Sequence, residues 1–120
     1  LFSVEDRVRF VKEVSGHLTN VKVISVHKLL VDMAIELNAT TIIKSIRAVS
    51  DFEYELQLAL TNRRLAPDID TVYLLPSEEH TFISSSVIKE VAAYGGDISS
   101  MVPAIVTTAL QKKLEKESPY

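Results

Sequence analysis

Short β-branched runs alternate with stretches of helical apolar spacing along most of this chain, and that alternation constrains its fold more than any single residue does. Val4, Val8, Val11 and Val14 recur at helical spacing with Phe10 alongside. They predict an amphipathic helix over residues 3 to 16, with Ser3 as its N-cap and Glu5 and Asp6 in its first turn. Val21 to Val26 alternates weakly and is rich in β-branched residues, so it reads as a strand. Leu29, Leu30, Met33, Ala34 and Leu37 give a second helix, and Thr40 to Ile43 a short strand. The longest helix is expected over Ala48 to Leu65, with Ala48, Val49, Phe52, Leu56, Ala59 and Leu60 on its apolar side. Thr71 to Leu75 reads as a third strand, closed by Pro76. Ser84 to Tyr94 reads as a helix stopped by Gly95-Gly96. A last helix is expected over Val102 to Lys116 with Pro103 in its first turn, then a frayed tail from Glu117 to Tyr120. The order α-β-α-β-α-β-α-α predicts an α/β protein with a parallel sheet covered by helices on both faces.

With 120 residues the chain fits one domain, residues 1–120. Three strands make a small sheet, and one or two more strands upstream would complete it. Leu1 is not a methionine, and only Phe2 precedes the first helix, so an upstream portion is expected. A processed or trimmed chain would read the same way.

Several chemistries are excluded. A net charge of −3 argues against broad nucleic-acid binding, although a local basic pocket stays open. The absence of cysteine rules out disulfides, thiolate chemistry and cysteine-based zinc sites, and is compatible with a cytoplasmic location. No stretch approaches the ~20 apolar residues of a membrane span, and no signal peptide is visible. Three glycines exclude a Walker A loop and a dinucleotide fingerprint. His17, His27 and His80 lie too far apart in sequence for a metal motif. There is no nucleophile elbow.

Two segments could carry chemistry. The run from Lys44 to Glu55 sits where a strand ends and a helix begins, the place where open α/β sheets bind ligands. Lys44 and Arg47 bring two cations to this turn, and helix N-terminal amides favour anions there. Arg47 could equally pair with Asp51, one turn on. Glu55 falls on the apolar side of the long helix. It needs a partner if buried, could accept bonds from a ligand hydroxyl, or could point to water at the rim. In the second segment Ser84, Ser85 and Ser86 open a helix, with Lys89 in its second turn. One serine acting only as an N-cap is the plain reading; three hydroxyls with free amides also suit a polyphosphate.

The block Ile46-Arg47-Ala48-Val49-Ser50-Asp51-Phe52-Glu53-Tyr54-Glu55 closely resembles the signature of bacterial phosphopantetheine adenylyltransferases. Phe82-Ile83-Ser84-Ser85-Ser86 with Val87-Ile88-Lys89-Glu90-Val91 resembles the same family's second nucleotide motif. Asn62-Arg63, Gly95-Gly96-Asp97, Val102-Pro103 and the opening Phe2 to Arg7 also fit, and the resemblance runs in order from Leu1 to about Leu114. It implies a Rossmann-like nucleotidyltransferase fold of the His-x-Gly-His group, with the first strands missing. It further implies ATP and 4′-phosphopantetheine as substrates, Mg²⁺ with the ATP, dephospho-CoA and pyrophosphate as products, a homohexamer, and CoA as a feedback ligand. On the matching positions, Arg47 would contact and stabilise nucleotide phosphate and Glu55 would hold the ATP ribose or adjacent atoms. His80 and Thr81 would lie in a loop near the nucleotide and bind ATP together with Ile83, and Ser84, Ser85 and Ser86 would bind the triphosphate. Lys44, Leu30 and Asn62 would line the phosphopantetheine site.

The chain also departs from the family. Lys44-Ser45 stands where Arg-Gly is usual; lysine keeps the charge but loses the bidentate fork, and serine adds a side chain near a phosphate. His80 stands where an aromatic residue is common. No Thr/His-x-Gly-His motif occurs in the 120 residues. In the family that motif comes upstream, its histidine stabilises the transition state, and a phosphate-binding lysine belongs just before Leu1. The 120-residue chain alone is therefore expected to be inactive. The alternative reading is a catalytically inactive remnant that binds nucleotide or CoA.

Overall fold

The computed structural model describes residues 1–117, and only the backbone of residues 49, 50, 116 and 117. Its elements are α1 (Val4–Val14), α2 (Leu30–Glu36), β1 (Thr41–Ser45), α3 (Val49–Leu65), β2 (Asp70–Leu74), α4 (Glu78–Thr81), α5 (Ser85–Ala93) and α6 (Ala104–Glu117). They form two compact units. One is Leu1–Ser25 with the chain from Ile83 on; the other is Val26–Phe82.

The second unit is built on a β-α-β crossover. Strands β1 and β2 pair in parallel, with Thr41 opposite Asp70 and Lys44 opposite Tyr73, and α3 connects them. This is the expected α/β class with a parallel sheet. Alternation along a strand sends Ile42 and Lys44 to one face and Ile43 and Ser45 to the other. Ile42 is buried in a core with Val31, Ala34, Ala66 and Ile69, while Ile43 on the opposite face is 66% exposed. Helix α2 ends in a Schellman motif. Asn38 takes φ 53°, its N–H donates to the Ile35 carbonyl at 3.0 Å, and the Ala39 N–H donates to the Ala34 carbonyl at 2.8 Å.

Expectation and structure part at three places here. The strand expected over Val21 to Val26 does not form. A strand exists through its ladder, and among the described residues the sheet has two strands, neither pairing with this segment. The boundary between the two units also falls inside it, after Ser25. Helix α3 forms as expected, but its apolar side is not covered: Phe52, Leu56 and Leu60 are exposed. Finally, a short helix, α4, occupies what read as loop, with Ser77 ahead of it accepting the His80 N–H through its carbonyl at 3.0 Å.

In the first unit, α1 starts on a capping box. The Asp6 N–H donates to Ser3 Oγ at 3.1 Å, and the Ser3 N–H donates to Asp6 Oδ2 at 3.4 Å. Phe10 is buried and meets Phe2 edge to face, the centroids 5.0 Å apart. Helices α5 and α6 pack through buried Ile88, Ile98 and Leu110, rimmed by Phe2, Ile83, Val91, Ala92, Val102 and Leu114. The predicted stop after α5 is a second Schellman motif. Gly95 takes φ 75° and donates to the Ala92 carbonyl at 3.0 Å, and Gly96 donates to the Val91 carbonyl at 2.9 Å. A Cβ on Gly96 would sit 2.5 Å from Val91 Cγ1, so both glycines are required by geometry. Pro103 stands one residue before α6 rather than in its first turn; its carbonyl accepts from the Val106 N–H at 2.8 Å. Of the tail expected from Glu117, Glu117 closes α6 and residues 118–120 lie outside the described residues.

Candidate functional site

The carboxyl ends of β1 and β2 lie side by side, because parallel pairing aligns Ser45 with Leu74. Lys44 therefore stands near the end of its strand, and Ile46 and Arg47 follow it, at the edge where parallel α/β sheets present ligands. Arg47 is exposed in the turn between β1 and α3. With Ile46, Ala48, Phe52 and Leu75 it lines an open concavity of about 300 Å³.

Behind this turn, Lys44, Glu55 and Tyr73 meet. Lys44 and Tyr73 are cross-strand partners, so their side chains share the sheet face on which Glu55 of α3 lies. The Lys44 Nζ is 2.5 Å from Glu55 Oε2, with the glutamate side chain 17% exposed. The Tyr73 hydroxyl is within donating distance of two Glu55 oxygens, the backbone carbonyl at 2.8 Å and Oε2 at 3.2 Å. Of the possibilities open for Glu55 in the sequence, the structure realises the partnered one. The bond from Lys44, joined by that from Tyr73, holds the Glu55 carboxyl below the usual carboxylate range against the opposing effect of desolvation. Burial first, and then the neighbouring carboxylate, push the Tyr73 hydroxyl above its ordinary value.

The remaining expected residues of this unit are placed as follows. Asn62 lies two helical turns after Glu55 and is half-buried on α3. Leu30 is the exposed first residue of α2. His80 and Thr81 sit on α4, where Ser77 Oγ and His80 Nδ1 are 2.6 Å apart and Thr81 Oγ1 donates to the Ser77 carbonyl at 3.0 Å. The structure thus brings Lys44 and Glu55 into contact, and ties His80 and Thr81 to Ser77 instead.

Ile83, Ser84, Ser85 and Ser86 belong to the other unit. Ser84 is the N-cap of α5, its Oγ accepting the Val87 N–H at 3.3 Å. Ser85 and Ser86 form the first turn, exposed. The capping role is realised, and it leaves the first-turn amides of Ser85 and Ser86 unused by the helix itself.

Tyr73 is the residue that sequence reading missed. Its signal is period-2 alternation combined with strand register, which puts it opposite Lys44; the register appears only once the two strands are paired. Among the described residues, no group of three or more His, Cys, Asp or Glu side chains could hold a metal ion, and no helix is long and apolar enough to cross a membrane.

Comparison with known proteins adds sequence evidence. Residues 1–91 match the cytidylyltransferase-like family. Two curated relatives, the phosphopantetheine adenylyltransferases of Proteus mirabilis (strain HI4320) and of Proteus mirabilis, are each 50% identical over 116 residues, which is 97% of this chain and 72% of the relative.

Proposed function

Because the chain belongs to the cytidylyltransferase-like family and, within it, to the phosphopantetheine adenylyltransferases, we propose that it transfers the adenylyl group of ATP to 4′-phosphopantetheine, giving dephospho-CoA and pyrophosphate. A phosphate oxygen of the acceptor forms a bond to the α-phosphorus of ATP, the bond from that phosphorus to the β-phosphate oxygen breaks, and pyrophosphate leaves. The protein contributes positioning and charge stabilisation rather than covalent chemistry.

The observation that carries this reading is the pair of cations at the carboxyl end of β1, Lys44 and Arg47, in a chain half identical to named enzymes of this activity. Lys44 meets the phosphate of phosphopantetheine, with Leu30 and Asn62 lining the arm of the same substrate. Arg47 contacts nucleotide phosphate, which gains charge as the transfer proceeds. Glu55 takes part in holding the nucleotide once its contact with Lys44 is shared or exchanged. His80, Thr81, Ile83 and Ser84 to Ser86 are assigned to ATP by their match to the family's second motif, supported by the unused amides at the start of α5.

Magnesium enters with ATP as the MgATP substrate. Phosphates supply most of the ligands of such an ion. A cytoplasmic location, feedback binding of CoA and assembly into a hexamer complete the proposal. The exposed stripe of Phe52, Leu56 and Leu60 on α3 supports assembly, since a subunit interface would cover it.

Isothermal titration with MgATP and then with 4′-phosphopantetheine tests the reading. Binding of both, with Arg47→Ala weakening MgATP more than the acceptor, supports it. Binding of neither would overturn it.

A further inference from the structure

We propose that Tyr73 is a positioning residue for the acceptor phosphate, acting through Glu55 to set where the Lys44 ammonium stands. The proposal rests on the reading of Lys44 as the contact for that phosphate. Its geometric basis is independent of any ligand. Tyr73 and Lys44 are paired across β1 and β2, and both reach the same oxygen, Glu55 Oε2, at 3.2 and 2.5 Å. The phenol is also 2.8 Å from the Glu55 backbone carbonyl, so its single proton is shared between the helix backbone and the carboxylate. No other position on β1 or β2 offers a hydroxyl or amine to this carboxylate among the described residues.

The arrangement matters because lysine, unlike arginine, carries its charge on a flexible stem without a fixed fork. A flexible ammonium meets a phosphate well only if something holds it. Glu55 supplies the hold but also competes with the phosphate for the same charge. By donating to Oε2, Tyr73 spreads the negative charge of the carboxylate and keeps it against α3. The ammonium is then aligned, yet less tightly claimed. When the phosphate arrives, Lys44 turns to it, and Glu55 retains the Tyr73 hydroxyl instead of being left unpaired. Without the phenol, Glu55 would depend on Lys44 alone, would grip it harder and would hold it less uniformly. Both effects weaken phosphate binding.

The conservative variant Tyr73→Phe keeps the ring and removes the hydroxyl. Titrated with 4′-phosphopantetheine, it should bind about three- to tenfold more weakly than wild type, the loss of one hydrogen bond. Pantetheine, which lacks the phosphate, should bind equally to both. In a Glu55→Gln background the tyrosine change should have little further effect, because the two residues act as one chain. Unchanged affinity for phosphopantetheine, or an equal loss for both ligands, would overturn the proposal. So would full additivity with Glu55→Gln. A titration of the Glu55 carboxyl by NMR, without ligand, separates the two layers of the argument. Tyr73→Phe should move that titration to higher pH, and no movement refutes the positioning role. Movement in a chain that binds no phosphopantetheine refutes the assignment of Lys44 to the acceptor phosphate while leaving the contact itself established.

Discussion

Replacing Leu110 by alanine should cost the protein several times more stability than the same replacement at Leu75. Leu110 is 1% exposed and packs in one cluster with Ile88 and Ile98, whereas Leu75 is 83% exposed beyond the end of β2. The change deletes three carbons at either site. At Leu110 the transfer contribution is about 2.4 kcal/mol, from ~0.8 kcal/mol per buried methylene. A cavity contribution adds to it, and comparable core truncations span about 2–5 kcal/mol. The cluster here is small, and Phe2, Val102 and Leu114 at its rim can close over part of the space, which places the expected loss at about 2–3.5 kcal/mol. At Leu75 the expected change is within ~0.5 kcal/mol. Urea unfolding at 25 °C, followed by far-ultraviolet circular dichroism, reads both variants in one series. A cost below about 1 kcal/mol for Leu110→Ala, or similar losses in the two variants, would contradict the packing of Leu110 in this core.

Other variants test single features of the account. Gly95→Ala should destabilise by about 1–2 kcal/mol through its positive φ alone, since an added Cβ there meets nothing within 4 Å; a neutral result in thermal unfolding would contradict the Schellman geometry. Ser84→Ala should lose about 1 kcal/mol with the N-cap bond, and Ser84→Asn should recover it; equal stabilities for all three proteins in urea would contradict the capping role. The Glu55 carboxyl titrates below its ordinary value of 4.5 in the folded chain, so its contribution is fully present above pH 4.5 and is lost as pH falls through the lowered folded value. The stability difference between wild type and Glu55→Gln should thus be present at pH 7 and shrink in acid; a difference that grows as pH falls would refute the sign.

The β-α-β unit and the helix ends of the other unit were legible because their signals are local. β-branched runs, helical spacing, Pro76 and the Gly95-Gly96 stop each act within a few residues, and the Ser3 cap lies one turn from its partner. The strand expected at Val21 to Val26 failed because strand identity depends on a partner that composition does not name. The exposed side of α3 was equally unreadable: Phe52, Leu56 and Leu60 have the spacing of a buried stripe, yet spacing does not say what covers it. For the site, residue types and their order singled out Lys44, Arg47 and Glu55 as candidates. That Glu55 answers Lys44, and that Tyr73 reaches the same glutamate, follows from β1–β2 register and from the seating of α3 on one sheet face. Such long-range facts leave no periodic trace in the sequence.

The central claim is adenylyl transfer to a phosphorylated acceptor, and the most direct measurement is product analysis on the protein as its own organism makes it. Incubated with MgATP and 4′-phosphopantetheine, it should form dephospho-CoA and release one pyrophosphate per product, both read by mass spectrometry and a coupled pyrophosphate assay. Binding of both ligands with no dephospho-CoA formed, or pyrophosphate release that does not require the acceptor, would contradict the account.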